Sequence, residues 1–239
     1  MKTTTKHTIT MLNIVCSILL LFSSCVKDNP LENKNEGLVK TRAFDTPFYY
    51  YGYEDTEIYL EQIMDKILIR FLSETSKEQM LALISEFASL KIIDGAYWEE
   101  GPLRFAALES IDEKDISPQV FESLKVNLNV ISAEYMFKYI NPASIDLPPR
   151  FSLMGITDEF AVKFKYNVTF QQLQKLATEN FCTIIGENEF VKNQFKLSVS
   201  KTSKLNAMQT SNLFYETGLF EFAEPNFIVL NGIIIIQNE

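Results

Sequence analysis

The sequence predicts an α+β fold in which one βαββαβ unit occurs twice in tandem, preceded by a β-hairpin. Three observations predict it. Residues from about Lys66 to Phe137 recur in order between Phe160 and Phe227; strand-period and helix-period segments alternate in each copy; and the composition, 46% hydrophobic and 22% charged over 239 residues, suits packed cores rather than disorder. The recurrence runs from Ile69-Arg70-Phe71 against Val162-Lys163-Phe164, through Met80 and Leu83 against Leu173 and Leu176, to Ala133-Glu134 and Phe137 against Ala223-Glu224 and Phe227. Between these anchors Leu103, Phe105 and Ala107 align with Phe195, Leu197 and Val199. The offset drifts by only a few residues, as small indels in turns would leave it.

The elements follow in order. Lys2 and Lys6 precede an apolar stretch from Met11 to Phe22 that is too short to span ~30 Å of hydrocarbon and leads into Leu21-Phe22-Ser23-Ser24-Cys25. This segment resembles the lipobox leader of bacterial lipoproteins, with Phe22 a departure three residues before the cysteine. The resemblance implies cleavage after residue 24, lipidation of Cys25 and anchoring to a membrane of the cell envelope. Residues 25–46, rich in Asn, Lys and Glu, read as a flexible tether.

Residues 47–65 read as a hairpin, because Phe48 to Tyr53 and Glu57 to Leu60 are aromatic, β-prone runs flanking Glu54-Asp55-Thr56. The first copy, residues 66–140, opens with a strand from Ile67 to Leu72. Ser76 then caps a helix carrying Met80, Leu81, Leu83, Ile84 and Phe87. Leu90 to Ile93 and Leu103 to Leu108 form the next two strands, with Trp98 near the bend. Ser117-Pro118 starts a second helix with Pro at its first position, and Val130 to Tyr135 closes the unit. Residues 141–150, with Pro142, Pro148 and Pro149, read as a stiff linker. The second copy, residues 151–239, repeats the order: Phe160 to Lys165, a helix from Thr169 to Asn180, Cys182 to Gly186, Phe195 to Val199, a helix from Asn206 to Thr217, and Phe220 to Glu224. A ferredoxin-like split βαβ sandwich satisfies strand, helix, strand, strand, helix, strand, and it leaves the final strand at an edge, as Pro225 requires.

Alternation assigns the faces. In the second copy Phe160, Val162, Phe164, Phe195, Leu197, Val199, Phe220 and Phe222 are expected to point inward, leaving Lys163, Lys165, Lys196 and Glu221 to meet water. In the first copy Ile67, Ile69, Phe71, Leu103 and Phe105 point inward, yet the other face still presents Leu68, Leu72, Ala106, Leu108 and Ile131. An apolar face of that size is expected to be covered, either by the hairpin or the second copy, or by a partner protein that Leu68, Leu72, Leu108 and Ile131 would bind.

The chemistry-bearing residues are few. His7 is the only histidine and falls in the leader, so a mature chain would lack both the Ser-His-Asp and the Cys-His arrangement. Cys16 leaves with the leader and Cys25 carries lipid, so Cys182 remains alone as a core thiol with no disulfide partner. Neither a zinc ligand set nor a Gly-rich phosphate cradle is present, and no cofactor or metal is expected. The carboxylates at Glu54-Asp55, Glu99-Glu100 and Asp112-Glu113-Asp115 sit beside turn signals and read as solvated. The net charge of −9, made more negative by losing Lys2 and Lys6, provides no basic stripe for nucleic acid.

The stretch from Asn212 to Phe227, Asn-Leu-Phe-Tyr-Glu-Thr-Gly-Leu-Phe-Glu-Phe-Ala-Glu-Pro-Asn-Phe, resembles the end of the N-terminal prodomain of subtilisin-like serine proteases, particularly fervidolysin-type prodomains and Bacteroidetes envelope homologues. The resemblance implies a ferredoxin-like module whose sheet docks on a catalytic domain, acting as chaperone and inhibitor, with a C-terminal tail entering the active-site cleft. Only Ile228 to Glu239 follows here, so protease activity does not carry over. Three functions stay open: a non-catalytic lipoprotein that restrains or chaperones a subtilisin-like protease in trans, with Ile233, Ile234 and Ile235 of its β-prone tail competing for the cleft; a truncated protease; or a structural or adhesive envelope lipoprotein using the same fold.

Overall fold

Hydrophobic alternation continues well past the turn signals, and the strands are correspondingly long. The computed structural model describes residues 48–52, 55–98, 104–141 and 150–230. The leader, the tether, Cys25, the centre of the linker and Ile233, Ile234 and Ile235 lie outside them. Strand β1 (Phe48–Tyr51) pairs with β2 (Glu57–Phe71), which combines the expected second hairpin strand and the expected first strand of copy one. Then come α1 (Lys77–Ser85), β3 (Leu90–Trp98), β4 (Arg104–Ser110), α2 (Pro118–Val126) and β5 (Val130–Asn141). The second half runs β6 (Arg150–Phe164), α3 (Phe170–Glu179), β7 (Cys182–Glu187), β8 (Gln194–Val199), α4 (Ala207–Glu216) and β9 (Phe220–Leu230). The fold is α+β, with four helices and one nine-stranded antiparallel sheet among the described residues.

The helix boundaries follow local capping residues, Ser76 among them as predicted. Ser76, Thr169 and Asn206 each accept from the backbone N–H three residues on, with Gln79, Gln172 and Gln209 completing capping boxes, and Pro118 occupies the first turn of α2. One face of each helix is buried. Met80, Leu83 and Ile84 of α1 are inside, whereas Leu81 stays accessible.

Strand neighbours are β3-β4-β2-β5 in the first half, and β7-β8-β6 with β9 on the far side of β6 in the second. The halves also share their irregularities. Pairing of β2 with β5 shifts register between Ile63 and Ile67 and between Arg70 and Phe71; pairing of β6 with β9 shifts between Ile156 and Phe160 and between Lys163 and Phe164, which are the equivalent positions. Both sheets shift again where the second strand of the unit meets the third, after Ile92 and after Ile184. Bulges are specific, position-bound features, and here they fall at corresponding positions of the two halves.

Three expectations are corrected. The two halves are joined in one sheet: β5 pairs with β6 from Phe137↔Met154 to Asn141↔Arg150, so the flanks of the predicted linker are ladder. Residues 47–239 form one compact unit. Phe222 of β9 does not point inward: it pairs with Lys163, while Ala223 pairs with Val162 and joins the core, because the register shifts between Lys163 and Phe164. The parity of β4 is also reversed. Ala106 and Leu108 join Ile67, Ile69 and Phe71 beneath the helices, while Phe105 and Ala107 lie on the opposite face with Leu68. Ile69 pairs with Ala106 as Val162 pairs with Phe195, so Ala106, not Leu103, is the equivalent of Phe195. A one-residue slip in a strand exchanges its faces, and the small Ala106-Ala107 pair left the sequence pattern unable to decide which face is inward.

Each copy has its own helix-side core, around Phe71 and Leu108 in one and Phe160, Phe214 and Phe220 in the other. A third cluster joins Leu68, Ile93, Ala107 and Met136 to Leu153, with Ile228 and Leu230 packed against it. A fourth joins Phe48, Tyr50 and Leu60 of the hairpin to Phe137, Met154, Met208 and Phe227. The side of copy one that faces away from its helices is therefore closed by copy two.

Candidate functional site

Leu68 is 1% exposed and Leu108 0%, so neither forms part of a docking surface. Leu108 packs under the helices, and Leu68 packs against Gly155, Leu153, Ile228 and Leu230 of the second copy. Leu72 and Ile131 remain half-buried at the margin of that seam.

The seam contains a charged group that the sequence reading did not single out. Arg70 donates from Nη1 to Asp158 at 2.5 Å and pairs through Nη2 with Glu159 at 2.8 Å. Ser198 donates to the other oxygen of Asp158 at 2.5 Å, and Lys196 lies 3.4 Å from Glu159. Arg70 projects from the helix-free side of β2, and the Thr157-Asp158-Glu159 segment is the bulge of β6, which turns polar residues toward it. Two signals were available: a lone arginine inside the apolar run Ile67 to Leu72, and a polar triplet interrupting the alternation of Phe151 to Phe164. Neither identified its partner, because the residues are 88 positions apart.

Beside this network a cleft of about 140 Å³ opens between the copies, lined by Phe121, Lys125, Ser132, Glu134, Lys201 and Asn206 among others. Burial pushes the Glu134 carboxyl up to about 7, while Lys125 and a hydrogen bond from Asn206 pull it the other way. Its repeat equivalent Glu224 is raised by burial as well. The cleft brings the carboxyls of Glu134 and Asp158 to the junction, with Ser132, Ser200 and Ser203 and three lysines in its lining.

The remaining predicted residues are dispersed. Asp112 lies in an exposed turn, where Lys114 and Ser110 hold its carboxyl down to about 2. Asp55 accepts from Tyr215, and Glu54, Glu99 and Glu100 fall outside the described residues. Cys182 is half-buried, with its thiol pushed up to about 12 by burial, a value that disfavours the nucleophilic thiolate. Among the described residues no three His, Cys, Asp or Glu side chains converge to hold a metal ion, and no helix is long and apolar enough to cross a membrane.

The second copy ends in a different kind of surface. Strand β7 pairs only with β8 among the described strands, leaving its other side open. Phe181, Ile185 and Phe190 stand exposed along it, and Tyr166 and Phe170 flank the adjoining helix α3. Phe181 has φ +56°, a left-handed backbone that costs a bulky residue on the order of 1–2 kcal/mol, yet its ring is 59% exposed. The conformation ends helix α3, where the Phe181 N–H donates to Thr178 O and its carbonyl accepts from Ser200, and it turns the ring outward.

No protein-family model matches this chain, and no curated protein or solved structure is significantly similar to it.

Proposed function

We propose that the chain is a non-catalytic cell-envelope lipoprotein, anchored through Cys25 and built from two tandem ferredoxin-like sandwiches, that binds a subtilisin-like serine protease as prodomains do and inhibits or chaperones it. The fold reading is supported by the strand order β3-β4-β2-β5 recurring as β7-β8-β6-β9, with matching bulges. The partner reading is supported by the resemblance carried by residues 212–227. The observation that carries an interaction role is the open β7 edge with its exposed, strained Phe181. An extended segment of a partner adds to such an edge through main-chain hydrogen bonds, and alternate side chains give specificity.

The test is titration of the purified chain against a subtilisin-like protease from the same envelope, with a chromogenic substrate reporting activity. Competitive inhibition that weakens in Ile185→Asp supports the proposal. A chain that neither binds nor slows the protease overturns it. The contribution of the tail is measured by deleting residues 231–239; a deletion from Ile228 would also strip Ile228 and Leu230 from the seam.

A second reading has its own support. Because the helix-free face of copy one is occupied by copy two, the surface through which a prodomain sheet would dock is partly used up within the chain. A structural or adhesive envelope protein on this fold predicts that observation directly.

A further inference from the structure

The Tyr-rich hairpin has two faces, fixed by the two-residue period of its strands. Phe48, Tyr50 and Leu60 point into the fourth core cluster. Tyr49, Tyr51, Glu57 and Tyr59 take the opposite face, where Tyr49 pairs with Tyr59 and Tyr51 with Glu57. The ring centroids of Tyr49 and Tyr51 lie 5.5 Å apart at 89°, and Tyr49 and Tyr59 are 5.7 Å apart. Tyr215 of α4 extends the group, 4.5 Å from Tyr51.

Each phenol is tied to a carboxylate. Tyr49 and Tyr51 both donate to Glu216 at 3.3 Å, Tyr59 donates to Glu57, and Tyr215 donates to Asp55. Burial and the neighbouring Tyr49 push the Tyr51 hydroxyl up, and the bond to Glu57 does the same for Tyr59. The Tyr51 and Tyr59 hydroxyls therefore stay protonated donors. Tyr59 is 54% exposed and borders an open hollow shared with Glu61 and Lys138. Near-perpendicular ring faces rimmed by carboxylates present π-electron density and negative charge to the same point in space. That combination attracts a cation.

We propose that this outer face of the hairpin is a docking site for a basic side chain, arginine or lysine, carried by an extended segment of a partner protein. Charge complementarity selects the occupant: among the described residues Asp55, Glu57, Glu61 and Glu216 face the solvent here, with Lys138 the cation at the margin, paired with Glu61. A glycan would also stack on tyrosine rings, but it needs hydroxyl donors and acceptors that are open, and here each phenol is already donating to a carboxylate. The site does not depend on the protease reading, and its failure would leave that reading untouched.

The experiment is fluorescence anisotropy of a labelled Arg-Gly repeat hexapeptide titrated with the full-length chain, beside the same peptide with citrulline for arginine. The expected result is saturable binding of the arginine peptide only, weakened about threefold by Tyr59→Leu and by Glu57→Gln. The charge-matched control Asp112→Asn, on a distant turn, leaves binding unchanged. Absent binding, equal binding of the citrulline peptide, or an equal loss in the Asp112→Asn control overturns the proposal. Competition by a neutral oligosaccharide in place of the arginine peptide also overturns it, in favour of a sugar platform.

Discussion

Arg70 in the first copy and Asp158 in the second form a buried ion pair, 2.5 Å from Nη1 to Oδ1, at the centre of the face where the copies meet. Arg70 Nε finds no acceptor among the described residues, so the geometry is not saturated. Buried pairs of this kind are weak sources of net stability, but removing one partner strands the other charge. Arg70→Ala is expected to cost roughly 3–5 kcal/mol in chemical denaturation. A well-packed apolar replacement of Arg70, Asp158 and Glu159 together would cost far less. If Arg70→Ala left the unfolding midpoint in place, the pair would not be holding the copies together.

Gly155 meets Leu68 so closely that a β-carbon there would lie 2.7 Å from Leu68 Cδ2 and 2.8 Å from Leu68 Cβ. The near part of the leucine cannot swing away, so Gly155→Ala overpacks the seam by roughly 1–3 kcal/mol. Leu68→Ala introduced with it should recover part of the loss, giving a coupling in a double-mutant cycle that independent sites would not show.

Glu134 links stability to pH. Its carboxyl is raised from 4.5 to about 7 in the folded chain, mainly by burial, so the folded state favours the protonated form. That contribution is fully present below about pH 4.5 and is lost as pH rises through 7. Thermal midpoints should fall between pH 5 and pH 8, and the fall should be shallower in Glu134→Gln. Asn206→Ala is expected to push the carboxyl higher still, because it removes a bond that favours the charged form. It also uncaps α4, at about 1 kcal/mol.

Asn212 of α4 donates to the Tyr49 carbonyl at 2.7 Å and is the buried hydrogen bond that attaches the hairpin to the second copy. Asn212→Ala leaves that carbonyl without its donor, a loss of about 1–3 kcal/mol. Hydrogen exchange should report it as faster opening of β1 ahead of the rest of the sheet. Uniform exchange in the variant would show that the aromatic contacts of Phe48 and Tyr50 suffice.

Phe181→Asn offers the opposite sign. Asparagine tolerates the left-handed conformation at φ +56°, so thermal stability should rise, by roughly 0.5–1 kcal/mol. Protease inhibition should weaken in the same variant. A more stable variant with unaltered inhibition would remove Phe181 from the binding surface.

The Ser76 cap, the helix starts at Thr169 and Asn206 and the inward faces of β6 and β8 were legible because each depends on short-range pattern: a hydroxyl or amide before an apolar helical run, or strict alternation such as Phe160, Val162, Phe164. Strand ends were less so, since turn-forming residues such as Asp65 and Lys66 lie within the long strand β2, where pairing to β5 and β4 overrides local preference. The face of Leu108 was misread because Ala106-Ala107 carries too little contrast to fix parity.

The sequence by itself determined the α+β class, the helix starts and the aromatic hairpin, all properties of neighbours within a few residues. Tertiary structure alone decided that the two copies close on each other, that Arg70 meets Asp158, that Glu134 is shielded from water, and that the hairpin preceding copy one clasps a helix of copy two. These depend on contacts between residues tens to more than a hundred positions apart, and the energy of such a contact is a property of the pair, which no local period records.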